Sequence, residues 1–360
     1  MANQPRIRVL IVDDSAIVRK VLTDIVAAEP DLEVVGTAPD PYVARDKILA
    51  LEPDVLTLDI EMPRMDGLTF LEKIMRHRPM PVVVISSLGH SETALEALGR
   101  GAVEVLQKPG GPYSVGDLRY DLPRRIRAAA ASRRHTWHEP AASGKCETPM
   151  PSSGLNSYYD IIAVGASTGG VTAIETLIRA LPANIPGIVV TQHIPAGFSR
   201  SFADRLNSLC ALVVREAEDG DRVEPGTVLV APGNLHLSVQ RVGQHYHTVV
   251  RDGPRVCFQR PSVDVLFHSV AAAGSRGLGV ILTGMGSDGA DGLLQMRKRG
   301  AFTIAQDAAS CVVYGMPREA VAVGAVRQVL PLERISSAIL NRLSTQPAAE
   351  TATKSLRGMP

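Results

Sequence analysis

Hydrophobic positions over the first 130 residues come in short solid runs separated by stretches with helical spacing. "RVLIV" (8–12), "EVVGTA" (33–38), "DVLTLD" (54–59), "VVVISS" (82–87) and "VEVLQ" (103–107) are β-rich, which predicts five strands. Between them, residues 15–28, 40–51, 67–77 and 91–100 read as helices with one buried face. Regular β-α alternation predicts an open, mostly parallel sheet covered by helices on both sides. The same style returns after residue 158: 160–166, 187–193, 213–218, 227–232, 235–239, 277–284 and 302–307 read as strands. Helical stretches follow several of them, at 170–181, 199–209, 262–273 and 289–299. The fold class is therefore α/β, with two doubly wound parallel-sheet domains joined by a linker.

Between the two patterns the periodicity fades. Residues 126–157 pass from a basic, Ala-rich helix end into Pro, Ser, Gly and Thr. Such a composition cannot bury enough apolar surface to offset the entropy of ordering, and reads as a linker. The expected division is 1–125, linker 126–157, second domain 158–345 and a disordered tail 346–360. Trp137 falls in the linker and is given no catalytic role.

Composition narrows the partners. The 360 residues suffice for two cores, and a net charge of +1 gives no surplus to attract nucleic acid or anionic lipid. Cys146, Cys210, Cys257 and Cys311 are too scattered for a zinc site or a disulfide framework. The opening MANQPRIRVLIVDD lacks the apolar segment of a signal peptide, and no later run is long enough to span a bilayer. The expectation is a cytoplasmic protein without direct membrane insertion.

In parallel α/β sheets, ligands bind at the carboxyl ends of the strands. In the first domain those ends carry Asp13 and Asp14, Asp59, Ser86, and Lys108 with Pro109. If the first and third strands are neighbours, three carboxylates converge, which is unfavourable unless a cation offsets them. Hard carboxylate oxygens suit Mg²⁺, and a carboxylate there can attack a phosphoryl group, with Lys108 and Ser86 placed to bind its oxygens. Helix capping, since Asp13–Asp14 precedes one helix and Asp66 another, accounts for one Asp but not for the whole constellation. With "IVDDS", "LDIEMPRMDG", "VISS" and "QKP", residues 7–125 resemble a response-regulator receiver domain, which is flavodoxin-like. That resemblance implies Asp59 as phosphoacceptor and a histidine kinase as phosphodonor. It implies Mg²⁺ held by Asp13 (through water), Asp14, Asp59 and the Glu61 backbone carbonyl. One position departs: where many receivers carry a switching aromatic, three residues before Lys108, this chain has Val105.

In the second domain, Ser167 ends the first strand in "GASTGG", which satisfies the G-x-S-x-G turn that exposes a serine at a helix N-terminus. The same loop also suits a phosphate or nucleotide, and the alternative reading is a phosphorylation-dependent adaptor with such a site. It lacks the Lys-Ser/Thr pair of a P-loop. A nucleophilic serine needs a base, and His193 ends the next strand; Asp288 lies in another glycine-rich strand–helix turn. Asp291, Asp307, His236 and His268 are alternatives of the right type. The order Ser…His…Asp differs from the α/β-hydrolase order, although geometry and not order defines a triad. The ordered motifs "GASTGG", "TQHIP", "APGNLHL", "RPSVDVLF", "LTGMGSDGADG" and "QDAASCVVYGMP" resemble the catalytic domain of the chemotaxis protein-glutamate methylesterases, the CheB family, with a Rossmann-like sheet. The resemblance implies a Ser167–His193–Asp288 triad, with Thr168 and Met285 near the oxyanion. It also implies hydrolysis of glutamate methyl esters and deamidation of glutamines on methyl-accepting chemoreceptors. No cofactor is implied for that hydrolysis. The receiver is expected to obstruct the catalytic cleft until it is phosphorylated.

Overall fold

A computed structural model describes residues 5–87, 89, 91–108, 114–132, 158–274 and 276–344. Trp137, Cys146, Pro109, most of the expected linker and the tail lie outside the described residues.

The first sheet contains β1 (Ile7–Val12), β2 (Leu32–Ala38), β3 (Val55–Asp59), β4 (Val82–Ser86) and β5 (Glu104–Gln107), all parallel in the order β2-β1-β3-β4-β5. The helices are α1 (Ala16–Ala27), α2 (Pro41–Leu51), α3 (Gly67–His77), α4 (Ser91–Gly99) and α5 (Ser114–Ser132). Strand residues alternate between two buried faces. Val9, Ile11, Val55, Val83 and Ile85 share one core with residues of α1 and α5. Leu10, Val12, Leu56, Leu58 and Val84 face the other way, into a core with α2, α3 and α4. Val12 pairs with Leu58, so the residues that follow β1 adjoin the end of β3, as expected.

α5 runs on to Ser132, beyond the boundary expected at 125. The reason is local and apolar: Leu118, Leu122, Ile126 and Ala129 recur at helical spacing and are buried against the sheet.

The second sheet has the order β14-β13-β12-β6-β7-β9-β8, again all parallel. Its strands are β6 (Ile161–Ala166), β7 (Gly187–Gln192), β8 (Val213–Glu216), β9 (Thr227–Val230), β12 (Gly277–Ile281), β13 (Phe302–Gln306) and β14 (Gln328–Leu330). The chain leaves β6 in one direction through β7 and returns on the other side at β12. This reversal opens a crevice at the carboxyl ends of β6 and β12. Helices α6 (Gly170–Arg179), α7 (Phe198–Leu209), α8 (Val263–Ala273), α9 (Ala290–Lys298), α10 (Met316–Ala322) and α11 (Leu332–Ser344) complete the domain.

The strand expected at 235–239 exists, but outside the main sheet. It is β10 (His236–Val242), paired antiparallel with β11 (His245–Arg251), whose polar sequence had not suggested a strand. The short β14 and helices α10 and α11 were likewise not anticipated. Buried residues of α4 and α7 belong to one continuous apolar cluster, so the two domains meet along these helices. No helix of the described residues is long and apolar enough to cross a membrane.

Close packing of α8 on β6 depends on Gly165, where an added Cβ would collide with Val263 Cγ1 and lie 3.1 Å from the Phe267 ring. Gly165→Ala is expected to cost roughly 1–3 kcal/mol by overpacking. Its thermal midpoint should fall; an unchanged midpoint would show that α8 moves aside freely.

Candidate active site

Strand β6 is fully buried and delivers Ser167 to the crevice, where it is 3% exposed. Gly169, at φ +75°, provides the left-handed turn into α6 and caps it without a side-chain bond. Gly284 is equally constrained, since a Cβ there would lie 2.7 Å from Ser167 Cβ. The Ser167 amide donates to the Thr283 carbonyl at 3.0 Å, so it is already committed and is not an oxyanion donor. Thr168 and Met285 flank the serine on the two turns. Thr168 is buried, its carbonyl accepting from Thr283 Oγ1 at 2.9 Å, while Met285 is 37% exposed.

β7 runs beside β6 in register, and the His193 amide donates to Ala166 O at 3.1 Å, next to the serine. His193 Nε2 is 2.7 Å from Asp288 Oδ2, with both residues buried. That bond makes Nε2 the protonated nitrogen and leaves Nδ1, which is buried without a hydrogen-bond partner, as the basic one. In the best-known serine triads the two ring nitrogens have the opposite assignments.

Asp288 had an alternative reading as an N-cap of its own helix, but α9 is capped by Gly289 without a side-chain bond. The carboxylate turns instead to the N-terminus of α8. Oδ1 accepts from Ser262 Oγ at 2.8 Å and Asp264 N at 3.0 Å; Oδ2 accepts from Val263 N at 2.8 Å and from His193. Burial pushes its pKa up, but the His193 contact and the backbone donors outweigh this and hold it below the ordinary value. It is a permanent anion, suited to orient an imidazole and stabilise its protonated form.

The other candidates have different duties. Buried His236 contacts the Pro254 carbonyl through Nε2 at 2.9 Å and accepts from Ser262 N through Nδ1 at 3.3 Å, which steadies the α8 N-terminus. His268 pairs with Asp291 on the surface at 2.9 Å. Asp307 accepts from the Ser310 amide and hydroxyl in its own turn. Two contributors were missed. Ser262 stood in the quoted "RPSVDVLF" as a helix-cap type, and Gln192 precedes the histidine. Gln192 Nε2 donates to Ser167 O at 2.9 Å and contacts His193 O at 3.3 Å. Neither link is visible without the fold.

The first domain assembles its acids as expected. Oxygens of Asp13, Asp14 and Asp59 all lie within 4.8 Å of one another, Asp13 and Asp59 buried and Asp14 exposed. Lys108 Nζ lies 2.7 Å from Asp59 Oδ2 and 3.1 Å from Asp13 Oδ2. Those two oxygens nevertheless accept no aligned hydrogen bond, so Lys108 meets them as a charge. Glu61 donates its amide to Asp59 Oδ1 at 3.1 Å, and buried Ser86 stands at the end of β4. Burial, the largest influence, together with the charge of Asp13 pushes Asp59 up to about 6 despite Lys108, and burial also raises Asp13. Buried carboxylate oxygens without aligned donors are a hard-oxygen set that fits Mg²⁺.

The CheB methylesterase family model matches residues 162–339, and the response regulator receiver domain model matches residues 9–115. Protein-glutamate methylesterase/protein-glutamine glutaminase 4 of Anaeromyxobacter dehalogenans is 55% identical over 343 residues, spanning 94% of this chain and 96% of its own. The chain belongs to the CheB methylesterase family. The Salmonella typhimurium protein-glutamate methylesterase/protein-glutamine glutaminase, at 51% identity, spans 95% of this chain and 99% of its own. The crystal structure of the Thermotoga maritima CheB methylesterase catalytic domain matches at 38% identity with a TM-score of 0.50, covering 51% of this chain and 98% of that one. The family's two-module architecture, a receiver followed by a methylesterase domain, is thus the architecture of this chain.

Two measurements test this geometry. Nitrogen-15 NMR of neutral His193 should show the Nε2–H tautomer, and Asp288→Asn should lower kcat by roughly 10³–10⁴-fold; an Nδ1–H tautomer would refute the assignment. In the receiver, a carboxylate raised from 3.8 to about 6 makes the folded state bind the extra proton, so metal-free stability falls as pH rises through that window. Without Mg²⁺, Asp59→Asn should therefore melt higher than wild type at pH 7, with the difference vanishing below about pH 4.

Proposed function

We propose that this chain is a phosphorylation-regulated protein-glutamate methylesterase and protein-glutamine glutaminase acting on the cytoplasmic helices of methyl-accepting chemoreceptors in chemotaxis adaptation. The observation that carries the mechanism is the buried His193–Asp288 contact at 2.7 Å beside the Ser167 turn. Ser167 Oγ attacks the side-chain carbonyl carbon while His193 Nδ1 takes its proton. Asp288 stabilises the resulting imidazolium through Nε2. The amides of Thr168 and Met285 are the oxyanion donors in this reading, the Ser167 amide being occupied. His193 returns the proton to the departing methanol or ammonia, and water then cleaves the acyl-enzyme to leave a glutamate. No metal enters this sequence. The phosphate-loop alternative gives no role to the His193–Asp288 pair, and family membership sets it aside.

The receiver supplies control. Asp59 is the phosphoacceptor and a histidine kinase the donor. Asp13, Asp14, Asp59 and the Glu61 carbonyl would hold Mg²⁺, which supplies positive charge against the carboxylates and the phosphoryl oxygens. Ser86 and Lys108 bind those phosphoryl oxygens. The switch is not a rotating aromatic, since Val105 at that position is buried. The structure instead has the receiver lying along the catalytic cleft. Ser91 Oγ meets Ser201 Oγ at 2.6 Å, Arg124 donates to Phe258 O at 3.2 Å, and Asp121 lies 3.4 Å from Arg255. A cleft of about 140 Å³ between the domains is lined by Lys108, Arg125, His193, Asn234, Arg255 and Arg260 among others. A docked receiver leaves a receptor helix no room beside His193, and phosphorylation shifts the equilibrium toward an open form.

Methanol release from methylated receptor membranes tests the reading. Wild type should release methanol faster with a small phosphodonor and Mg²⁺, and Ser167→Ala should lose at least about 10⁴-fold under both conditions. Equal release from the two proteins would remove Ser167 as nucleophile.

A further inference from the structure

α5 sends two adjacent arginines into the second domain, and they do different things. Arg124 stays at the rim, its guanidinium 5.2 Å from the centre of the Phe258 ring. Arg125 is largely buried, with its side chain 11% exposed. Its Nη1 donates to Glu104 Oε1 at 2.8 Å and its Nη2 donates to the carbonyl of His193 at 3.0 Å. A buried guanidinium is unfavourable unless a counter-charge and acceptors answer it. Glu104 provides the charge from the start of β5, the strand that leads to Lys108, whose Nζ lies 2.7 Å from Asp59. The acceptor that completes the set belongs to the catalytic histidine.

That carbonyl has a second contact. Gln192 Nε2 reaches it at 3.3 Å while donating to Ser167 O at 2.9 Å, so one amide group spaces the backbone of the base from that of the nucleophile. Arg125 adds a second donor to the same carbonyl from the receiver side. With the receiver docked in this way, His193 Nδ1 has no hydrogen-bond partner, so the bond to Ser167 Oγ that proton transfer needs is not made.

We propose that Arg125 is a positioning residue for the catalytic base: held by Glu104, it ties the His193 carbonyl to the receiver and keeps the imidazole out of hydrogen-bonding register with Ser167 until phosphorylation withdraws it. The inference rests on the Ser167–His193–Asp288 reading. It goes beyond obstruction of the cleft, because control then acts on the base as well as on access. Obstruction excludes a bulky receptor helix and is read in KM; a misplaced base lowers kcat for every ester, including a small one.

The experiment uses the full unphosphorylated chain with a short soluble peptide carrying one glutamate methyl ester. Arg125→Gln should raise kcat about ten-fold with KM changed less than about two-fold, and should blunt the further rise on adding phosphodonor. It should also shift the His193 ring nitrogen resonances. Since Arg125→Gln leaves Glu104 buried without its partner, the double variant with Glu104→Gln, which removes both charges, guards against misfolding and should show the same rise. If Arg125→Gln and the double variant leave kcat at the wild-type level, or change only KM, positioning is overturned and docking alone suffices. Turnover that persists in Ser167→Ala would instead overturn the triad.

Discussion

A carboxylate buried to 2% exposure, Asp288, is the constraint around which the catalytic domain is arranged. An ion removed from water must be surrounded by donors or it takes up a proton. Asp288 remains charged because four donors converge on it from α8 and β7, two of them backbone amides at the start of a helix. Those donors fix the direction of α8, the position of the β12–α9 turn and the tautomer of His193 together. Glycines at 165, 284 and 289 follow from the same demand, because a side chain at any of them would hold the segments apart. The geometry around His193 and the packing of α8 are here consequences of one buried charge.

The receiver resolves a similar problem in the opposite way. Its two buried carboxylates receive a lysine and few aligned donors, so burial, reinforced by the charge of Asp13, raises Asp59 to about 6. A site kept electrostatically unsatisfied responds strongly to added charge, whether a cation or a phosphoryl group. Asp288 is met by four donors, whereas the receiver carboxylates keep oxygens without an aligned one. The two modules therefore place the same residue type at the same kind of strand end for opposite purposes.

Between the two lies α5, which the apolar spacing of Leu118, Leu122, Ile126 and Ala129 holds against the first sheet. Asp121, Arg124 and Arg125 of the same helix reach the second domain. The control proposed above would run through this helix, which contacts both domains. Val105, which cannot rotate as an aromatic does, lies in the other core, shared with α2, α3 and α4.

Much was legible without coordinates. Period and turn chemistry are local, so the strands ending at Asp59, Ser86, Ala166 and Gln192 and the helices after them could be read from spacing alone. Strand ends in a parallel sheet are functional positions, so the acids of the receiver and Ser167, His193 and Asp288 could be nominated together. The hairpin strand at 245–251 was not legible, because its polar residues pair with β10 outside the main core. The extension of α5 was hidden because Ala and Arg also compose linkers. What tertiary structure alone decided was partnership: that Asp288 faces α8 and not its own helix, that Nε2 rather than Nδ1 is protonated, and that Arg125 reaches His193. Local sequence sets the conformation of each segment, whereas a hydrogen bond between residues 68 or 95 positions apart exists only once the sheet order has brought their ends together.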